Sequence, residues 1–370
     1  MMTINELKWI KDLFCIFCFF LVCMIITERC SATVPLSQSE TSTRPIKILS
    51  LDSGGIHGII SAYSLRYLEE KSGKSINQLF DLIVCVSTGA IQATMLTIPD
   101  AQNHPAYSAQ NLLNYYNTNI SNLLKVPLWW RIISMNGFFR PWLNSNQVYD
   151  TIKQSSNNFK LSDLLNHVVI VTFDLRTNWI VLFDNLAAQK DPSKDFMLAD
   201  VIYSAISAPT KIGPREITNV TGTKKYTLID GATMATDPAT IALMVATKLY
   251  PDNPKYMLSI GNGESPPSIN LDKVGTWGLF DWAAPLTGTL LNARTNLTQK
   301  IMYMLYHDKF AQLKYYVRIN RLLPLSVADS FGSSAEQITT LNQVGQQLTQ
   351  QYRAQLDFFA KELYDNKKAP

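Results

Sequence analysis

Cysteine is scarce in this chain, and the few cysteines are unevenly placed. Of the five, four lie before residue 33 and only Cys85 lies beyond it. A chain without its first 32 residues could form no internal disulfide, so its apolar core must hold it together. The Cys and His residues also lack the spacing of a zinc site, and no Asp/Asn/Gly loop resembles an EF-hand. The sequence therefore predicts no metal ion and no other cofactor.

Charge is also sparse. Charged residues make up 17% of the 370 residues, the net charge is only +4, and no block of Lys or Arg stands out. This distribution argues against a nucleic-acid partner. Hydrophobic residues make up 46% of the chain, so it can bury a large core and is not expected to be disordered.

One unbroken apolar run stands near the N-terminus, at residues 13–26. Two lysines precede it, and the small residues Ser31 and Ala32 follow it. The run is shorter than the about 20 residues that a bilayer span needs, and its length is typical of a signal-peptide core. The sequence therefore predicts a signal peptide at 1–32 and an exported protein, with a membrane anchor at 13–26 as the alternative. Residues 33–45 are rich in Ser and Thr and are predicted to form a linker.

Short apolar strands alternate with helical segments from Ile46 onward. The strands are predicted at 46–51, 79–86, 168–173, 179–183, 226–229, 256–260 and 315–319. Near-continuous apolar strands are typical of buried parallel sheets. The pattern predicts an α/β domain with a mostly parallel central sheet and helices on both faces. Residues 46–250 are expected to form its catalytic core, and residues 251–370 a mostly helical C-terminal section of the same domain.

Ser87 is a candidate nucleophile. It follows the predicted strand 79–86 and precedes a helical segment, within CVSTG at 85–89. A serine on a sharp strand-to-helix turn presents its hydroxyl away from the sheet, and its neighbours must be small. In the usual pattern, Gly-x-Ser-x-Gly, Gly89 is the second glycine, whereas Cys85 replaces the first. An ordinary helix N-cap is the alternative interpretation.

The glycine-rich turn at 53–58, SGGIHG, follows the first strand. Successive N–H groups in such a turn can point into one small space, which at a helix N-terminus suits a developing anion. The turn has neither the Gly-x-Gly-x-x-Gly pattern of a dinucleotide loop nor the Lys-Ser/Thr ending of a phosphate-binding loop. It is therefore either an anion-binding turn or a structural β–α turn.

Asp230 is the candidate base for Ser87. It ends the predicted strand 226–229 and is followed by small residues, so that its carboxylate could face the serine; a self-capping turn Asp is the alternative. A Ser–Asp–His order needs a histidine after Asp230, and only His307 qualifies. His307 lies in a predicted helical run at 300–316, where a surface or core histidine is the favoured interpretation. The sequence thus favours a dyad in which Asp230 takes the proton directly.

These motifs resemble, in order and in flanking residues, those of the patatin-like phospholipase family. The segments that carry the resemblance are LSLDSGGIHG, LFDLIVCVSTG, SAISAP, LIDGATMATDPA, LSIGNG, GTWGLFDW and YYVRI, and the resemblance covers roughly residues 46–320. The resemblance implies a patatin-like three-layer α/β/α fold and a dyad of Ser87 and Asp230. It also implies an oxyanion hole at Ser53, Gly54 and Gly55. The implied reaction is calcium-independent hydrolysis of phospholipid or lysophospholipid esters through an acyl-serine intermediate.

Three residues depart from the family pattern. Ser53 replaces a glycine, Cys85 replaces the first glycine of the nucleophile elbow, and His57 replaces a basic Arg or Lys. These departures leave two alternatives: a weak or inactive lipid-binding or storage protein of the same fold, and a serine peptidase that uses the same acyl chemistry.

Aromatic and basic residues cluster at 126–143, VPLWWRIISMNGFFRPWL. Aromatic side chains beside Arg suit a bilayer interface or a lid over a lipid site. A buried subdomain is the alternative and is slightly favoured. The predicted partners are a lipid substrate and, through 126–143, a membrane surface.

Overall fold

The computed structural model describes residues 44–365, except 136, 138, 267, 268 and 270. The predicted signal peptide or anchor and nearly all of the predicted linker lie outside the described residues, and the domain boundaries stay predictions. In the part of the chain that the structure describes, no helix combines the length and apolar character needed to cross a bilayer.

Eight strands form a single sheet. They are β1 (Ile46–Leu51), β2 (Leu82–Val86), β3 (His167–Asp174), β4 (Trp179–Asp184), β5 (Arg215–Thr218), β6 (Lys225–Asp230), β7 (Lys255–Ile260) and β8 (Leu313–Ile319). The strand pairs follow the path β5-β6-β3-β2-β1-β7-β8, and β4, which is off this path, also pairs with β3. The neighbouring strands β3, β2, β1, β7 and β8 pair in parallel. In contrast, β4 and β6 run antiparallel to β3, and β5 runs antiparallel to β6. The predicted mostly parallel sheet is therefore confirmed.

Helices connect and cover these strands. They are α1 (Gly58–Ser72), α2 (Ile76–Leu79), α3 (Thr88–Met95), α4 (Ala109–Tyr115), α5 (Ser121–Leu123), α6 (Leu128–Ser134), α7 (Ser145–Ser156), α8 (Asn185–Lys190), α9 (Leu198–Ile206), α10 (Ala239–Leu249), α11 (Leu279–His307), α12 (Ala335–Gln351) and α13 (Arg353–Asp365). A π-helical segment, Tyr116–Ile120, joins α4 to α5.

The central strands bury side chains on both faces of the sheet. In β2, Ile83 and Cys85 belong to a core with α1 and α12, whereas Val84 and Val86 belong to a second core with α10. This alternation produces the predicted three layers, with helices on both faces. Each fully buried Val, Leu or Ile contributes about 1.5–3 kcal/mol of hydrophobic stabilisation. Cores of this extent can stabilise a domain whose one described cysteine, Cys85, is a free thiol.

Several element bounds differ from the sequence prediction, and one strand was not predicted. The strand predicted at 79–86 begins only at Leu82, because Ile76–Leu79 forms a helical turn. The helical run predicted at 300–316 ends at His307, since Lys309 and Ala311 adopt positive φ angles before β8 begins. Strand β5 was not predicted, because two of its four residues are exposed and charged and it shows no apolar alternation.

Strands β2 and β6 meet end to end along the same side of β3. Val171 of β3 pairs with Val86 on one side and with β4 on the other; the next residue, Thr172, pairs with Asp230 and again with β4. Because β4 occupies the opposite side in both pairs, β2 and β6 share one side. The parallel strand β2 ends at Val86, opposite Val171, and the antiparallel strand β6 ends at Asp230, opposite the next residue of β3. This register places the residue after β2, Ser87, beside Asp230.

Candidate active site

Ser87 occupies a sharp turn between β2 and α3. Its backbone angles are φ 55° and ψ −122°, a conformation that costs a non-glycine residue of order 1–3 kcal/mol. Strain of this kind is expected at a nucleophile elbow. Gly89 permits the turn, because a Cβ atom there would lie 2.5 Å from the carbonyl oxygen of Leu51. The first turn of α3 can therefore pass directly against the end of β1.

The Ser87 hydroxyl donates a hydrogen bond to Asp230. The distance from Ser87 Oγ to Asp230 Oδ2 is 2.6 Å, and the other carboxylate oxygen, Oδ1, accepts from the amide of Ala232 at 2.8 Å. Both residues are nearly buried, with exposed fractions of 8% for Ser87 and 3% for Asp230. The structure thus brings the predicted nucleophile and the predicted base into direct contact.

Burial raises the pKa of Asp230 to about 7, although the hydrogen bonds from Ser87 and Ala232 act in the opposite direction. The carboxylate is therefore far more basic than that of an ordinary aspartate, whose pKa is about 3.9. A base whose pKa lies near the working pH is suited to proton transfer. Gly231 allows this placement, since a Cβ atom there would lie 2.3 Å from the carbonyl oxygen of Val171.

The glycine turn lies in the same cavity as Ser87. Gly54 and Gly55 have φ angles of 152° and 56°, and a Cβ atom on Gly55 would lie 2.2 Å from the carbonyl oxygen of Ser330. The hydroxyl of Thr88, the residue after Ser87, donates to the carbonyl oxygen of Gly55 at 2.8 Å. The turn is thus bonded directly to the nucleophile elbow.

The three predicted oxyanion-hole residues are not equivalent. The amide of Ser53 donates to the carbonyl oxygen of Thr236 at 3.0 Å and is already used. Within the described residues, the amides of Gly54 and Gly55 have no acceptor. The candidate donors therefore narrow from Ser53, Gly54 and Gly55 to the two glycines.

The other two departures from the family pattern are both buried. Cys85 points into the core and its thiol donates to the carbonyl oxygen of Val169 at 3.6 Å; burial raises the pKa of this thiol. The His57 ring nitrogen Nε2 lies 2.8 Å from the carbonyl oxygen of Val327, and burial lowers the pKa of His57 to about 4. His57 is therefore neutral at physiological pH and contributes no positive charge to the site.

No histidine completes a triad. The four histidines all lie in the described part of the chain, and none of them hydrogen bonds to Ser87 or Asp230. His307 is exposed at the end of α11, where its ring contacts Tyr303 at 5.6 Å between centroids. The only histidine in the cavity is the neutral His57. The geometry therefore agrees with a two-residue arrangement rather than with a Ser–Asp–His order.

The cavity around Ser87 has a volume of about 540 Å³. Its lining comes from the glycine turn, from the loop after α9, from α11 and from the segment before α12. Leu290, Leu291 and Phe331 supply apolar surface, and Lys211 and Arg294 supply positive charge. Among the described residues, no cluster of His, Cys, Asp and Glu could hold a metal ion; the predicted lack of a cofactor stays a prediction.

A buried ion-pair network supports the glycine turn, and the sequence did not reveal it. Arg318 of β8 binds both carboxylate oxygens of Asp52, at 2.8 and 2.5 Å, and lies 3.5 Å from Asp237. Burial raises the pKa of Asp52, and the Arg318 guanidinium opposes this shift. The Asn262 side chain donates to the carbonyl oxygens of Asp52 and Ser53. The one sequence feature that could have indicated this contact is that Asp52 and Arg318 both lie near the carboxyl ends of predicted parallel strands, which meet at the same edge of the sheet.

Sequence comparisons with known proteins point to one family. The family model of patatin-like phospholipases matches residues 49–243, more than half of the chain. Patatin-2-Kuras 3 of Solanum tuberosum is 26% identical over 380 residues, which cover 93% of this chain and 95% of that protein. Probable inactive patatin-3-Kuras 1, from the same plant, is 26% identical over 360 residues, which cover 87% and 94%. The crystal structure of VipD from Legionella pneumophila gives a TM-score of 0.39 at 11% identity, covering 89% of this chain and 72% of that one. Because the family model covers more than half of its residues, this chain belongs to the patatin-like phospholipase family.

Proposed function

We propose that this chain hydrolyses the carboxylic esters of phospholipids or lysophospholipids, with Ser87 as nucleophile and Asp230 as base. Membership of the patatin-like phospholipase family supports lipid acyl hydrolysis in general. The observation that carries the finer assignment is the 2.6 Å hydrogen bond from Ser87 to Asp230. It joins a strained serine to a carboxylate of raised pKa inside a partly apolar cavity.

In the proposed reaction, Ser87 Oγ attacks the ester carbonyl carbon while Asp230 accepts the hydroxyl proton. The amides of Gly54 and Gly55 donate to the resulting oxyanion, and such a donor contributes about 3–4 kcal/mol in other enzymes. The C–O bond to the leaving alcohol breaks, the alcohol takes the proton from Asp230, and an acyl-Ser87 forms. Water then attacks this ester with Asp230 again as base, releasing the fatty acid and restoring Ser87.

A fluorophosphonate probe tests this assignment directly. We expect the probe to label Ser87, located by mass spectrometry, and the unlabelled protein to hydrolyse phospholipid or lysophospholipid esters but not peptides. Heat-denatured protein is the control and should not be labelled. Faster hydrolysis of peptides than of lipids would indicate a peptidase. A folded protein that neither reacts with the probe nor turns over any ester would be a lipid-binding or storage protein.

The pH dependence should report the raised pKa of Asp230. Since Asp230 must be ionised to accept a proton, we expect kcat/KM on a soluble short-chain ester to rise with pH. The acidic limb should have its midpoint near the pKa of Asp230, about 7. An ordinary aspartate would place this limb near pH 4. Circular dichroism over the same range would show that the protein stays folded. A limb centred near pH 4 would contradict the proposed environment of Asp230.

Most of the described apolar side chains between 128 and 139 are exposed rather than buried. On α6, Trp129 has an exposed fraction of 54% and Ile132 of 67%, and Leu128 and Ile133 are also exposed. These four side chains are spaced so that they lie on neighbouring positions of the helix surface. Downstream, Trp142 donates its amide proton to the carbonyl oxygen of Thr210, which lines the cavity. The C-terminal end of 126–143 therefore lies next to the cavity wall.

We propose that this surface of α6 inserts into the lipid interface that supplies the substrate. Replacing Trp129 and Ile132 with Ser should lower the partition coefficient onto phosphatidylcholine/phosphatidylglycerol vesicles by at least about 10-fold, because burying each side chain contributes about 1.5–3 kcal/mol. Trp179→Ser is the matched control, since Trp179 is 74% exposed but lies in β4. Equal vesicle binding by the wild type and the double variant in a sedimentation assay would rule out this contact.

Export through the N-terminal segment is part of the same proposal. The charged, apolar and small-residue order at 1–32 supports a signal peptide. N-terminal sequencing of the protein recovered from the medium and from the membrane fraction would test it, and a membrane-bound chain that begins at Met1 would favour the anchor at 13–26.

A further inference from the structure

Two basic side chains line the Ser87 cavity. Lys211 lies in the loop after α9, and Arg294 lies on α11. Both are half-buried. Within the described residues, neither side chain forms an ion pair or a hydrogen bond to another side chain. The cavity therefore contains two positive charges whose N–H donors are not used by the protein.

Lys211 is held in place by contacts that leave these donors available. Its Nζ atom lies 4.5 Å from the ring centroid of Trp142 and 5.3 Å from that of Phe331. The Lys211 backbone is fixed as well, since its amide donates to Ala208 and its carbonyl oxygen accepts from Leu143. Cation–π contacts orient an ammonium group without using its three N–H donors. The result is a positioned cation that can still bind an anion.

Each acidic side chain that lines the cavity accepts a hydrogen bond from the protein. Asp52 is paired with Arg318, Asp230 accepts from Ser87, Glu264 accepts from the Asn320 side chain, and Asp329 accepts from the Phe331 amide. His57 is neutral, because burial lowers its pKa to about 4. The positive charge available to a ligand in this cavity therefore comes from Lys211 and Arg294.

We propose that Lys211 and Arg294 bind the phosphate of the lipid headgroup and so determine which headgroups the site accepts. This inference rests on the proposed function, because it concerns the substrate of the same site. A phosphodiester is anionic at neutral pH and offers oxygen acceptors, which suit both the guanidinium fork and the ammonium group. Leu290, Leu291 and Phe331 provide apolar surface for an acyl chain in the same cavity. A neutral acylglycerol offers no anionic group for the two cations.

The test compares substrates that differ only in the headgroup. Wild-type protein and the double variant Lys211→Met/Arg294→Met are assayed on monomeric dihexanoyl phosphatidylcholine, dihexanoyl phosphatidylglycerol and dihexanoylglycerol, and on p-nitrophenyl butyrate. We expect kcat/KM on both phospholipids to fall about 10- to 100-fold, mainly through KM, given the usual strength of hydrogen bonds to charged groups. Hydrolysis of dihexanoylglycerol and p-nitrophenyl butyrate should not change. The charge-preserving variant Lys211→Arg should keep most of the phospholipid activity.

Several results would overturn the assignment. Unchanged phospholipid hydrolysis would exclude it, and an equal loss on all four esters would assign the two residues to the fold or to the chemical step. A loss on phosphatidylglycerol alone would indicate long-range attraction to net charge instead of a phosphate contact. In a parallel arm, inorganic phosphate is added as a competitor. If inorganic phosphate inhibits p-nitrophenyl butyrate hydrolysis as strongly as intact dihexanoyl phosphatidylcholine does, the cavity contains a free-phosphate site and the headgroup assignment is contradicted.

A binding measurement separates this inference from the proposed reaction. Calorimetric titration of Ser87→Ala protein with dihexanoyl phosphatidylcholine needs no turnover. Adding Lys211→Met/Arg294→Met to that protein should weaken Kd about 10-fold, as expected for losing hydrogen bonds to charged groups. If the wild type hydrolyses no lipid but this loss is observed, the proposed reaction fails and the phosphate site stands. If lipids are hydrolysed and Kd does not change, the proposed reaction stands and the phosphate site fails.

Discussion

An Asp230→Asn variant is expected to lose about 10⁴-fold or more of kcat on any ester, as does an enzyme whose catalytic carboxylate becomes an amide. Asn has nearly the same shape as Asp. Its side-chain oxygen can still accept from the Ala232 amide, as Asp230 Oδ1 does at 2.8 Å. It cannot take a proton from Ser87. Among the described residues, Asp230 is the only base that accepts a hydrogen bond from the Ser87 hydroxyl, so no second base is in position. Steady-state kinetics with a soluble ester would measure the loss.

Asp195→Asn is a matched control for this experiment. Asp195 is buried, its Oδ1 accepts from backbone amides, and its Oδ2 accepts from the Ser162 hydroxyl, as Asp230 does with Ala232 and Ser87. It does not line the cavity, so its replacement should leave kcat unchanged. Retention of a tenth or more of wild-type kcat by Asp230→Asn would refute the dyad.

Thermal unfolding adds a second readout for Asp230→Asn. Burial raises the folded-state pKa of Asp230 from 3.8 to about 7. The fold therefore favours the protonated form of Asp230 over the ionised form. This preference adds to the free energy of unfolding below pH 3.8, and the added stability is lost as the pH rises through about 7. The Asn variant has no carboxylate to ionise at this position, so it does not lose this stability as the pH rises. Its Tm at pH 8 should equal or exceed that of the wild type, which would also show that its inactivity is not caused by unfolding.

The sequence could name Ser87 and Asp230 but could not show why they meet. Each residue was recognisable from its own surroundings, as a polar residue at the end of an apolar strand among small neighbours. Their contact depends on the register in which β2 and β6 pair with β3, with Val86 opposite Val171 and Asp230 opposite Thr172. Pairing register between strands 143 positions apart is a property of the whole sheet. A local pattern does not contain it.

The glycine turn is a second case in which a local sequence pattern could not show the contacts that the fold creates. The sequence marked Ser53, Gly54 and Gly55 as one group, because all three are adjacent in one turn. The Ser53 amide is removed from that group by the carbonyl oxygen of Thr236, which lies far away in the sequence. The support of the turn by Arg318 is equally non-local. Hydrogen-bond partners brought in by the fold therefore decide which of three similar amides can act.

The segment at 126–143 could not be assigned from composition, because a core helix and an interfacial helix both have aromatic and aliphatic residues at helical spacing. The exposure of Trp129 and Ile132 argues against a core helix. The strands of the central sheet were easier to predict, since a nearly continuous apolar run such as Leu82–Val86 is stable only when both faces are covered.

Replacing Ser87 with Ala is expected to reduce kcat by about 10⁶-fold, the size of effect seen when a serine hydrolase loses its nucleophile. The variant lacks the oxygen that forms the acyl-enzyme, while Asp230 and the amides of Gly54 and Gly55 stay in place. The fluorophosphonate label should disappear together with ester turnover. Both losses are measured on the same preparation, with a soluble ester and with a phospholipid.

Ser204→Ala is the matched control, since Ser204 is a buried serine that donates to the carbonyl oxygen of Asp200 and does not line the cavity. It should keep full activity. A Ser87→Gly variant should be as inactive as Ser87→Ala but more stable, because glycine adopts a φ of 55° without the strain that a serine bears there. A higher Tm combined with lost turnover would show that the fold holds the nucleophile at a cost in stability. Full turnover without the Ser87 hydroxyl would require a different nucleophile.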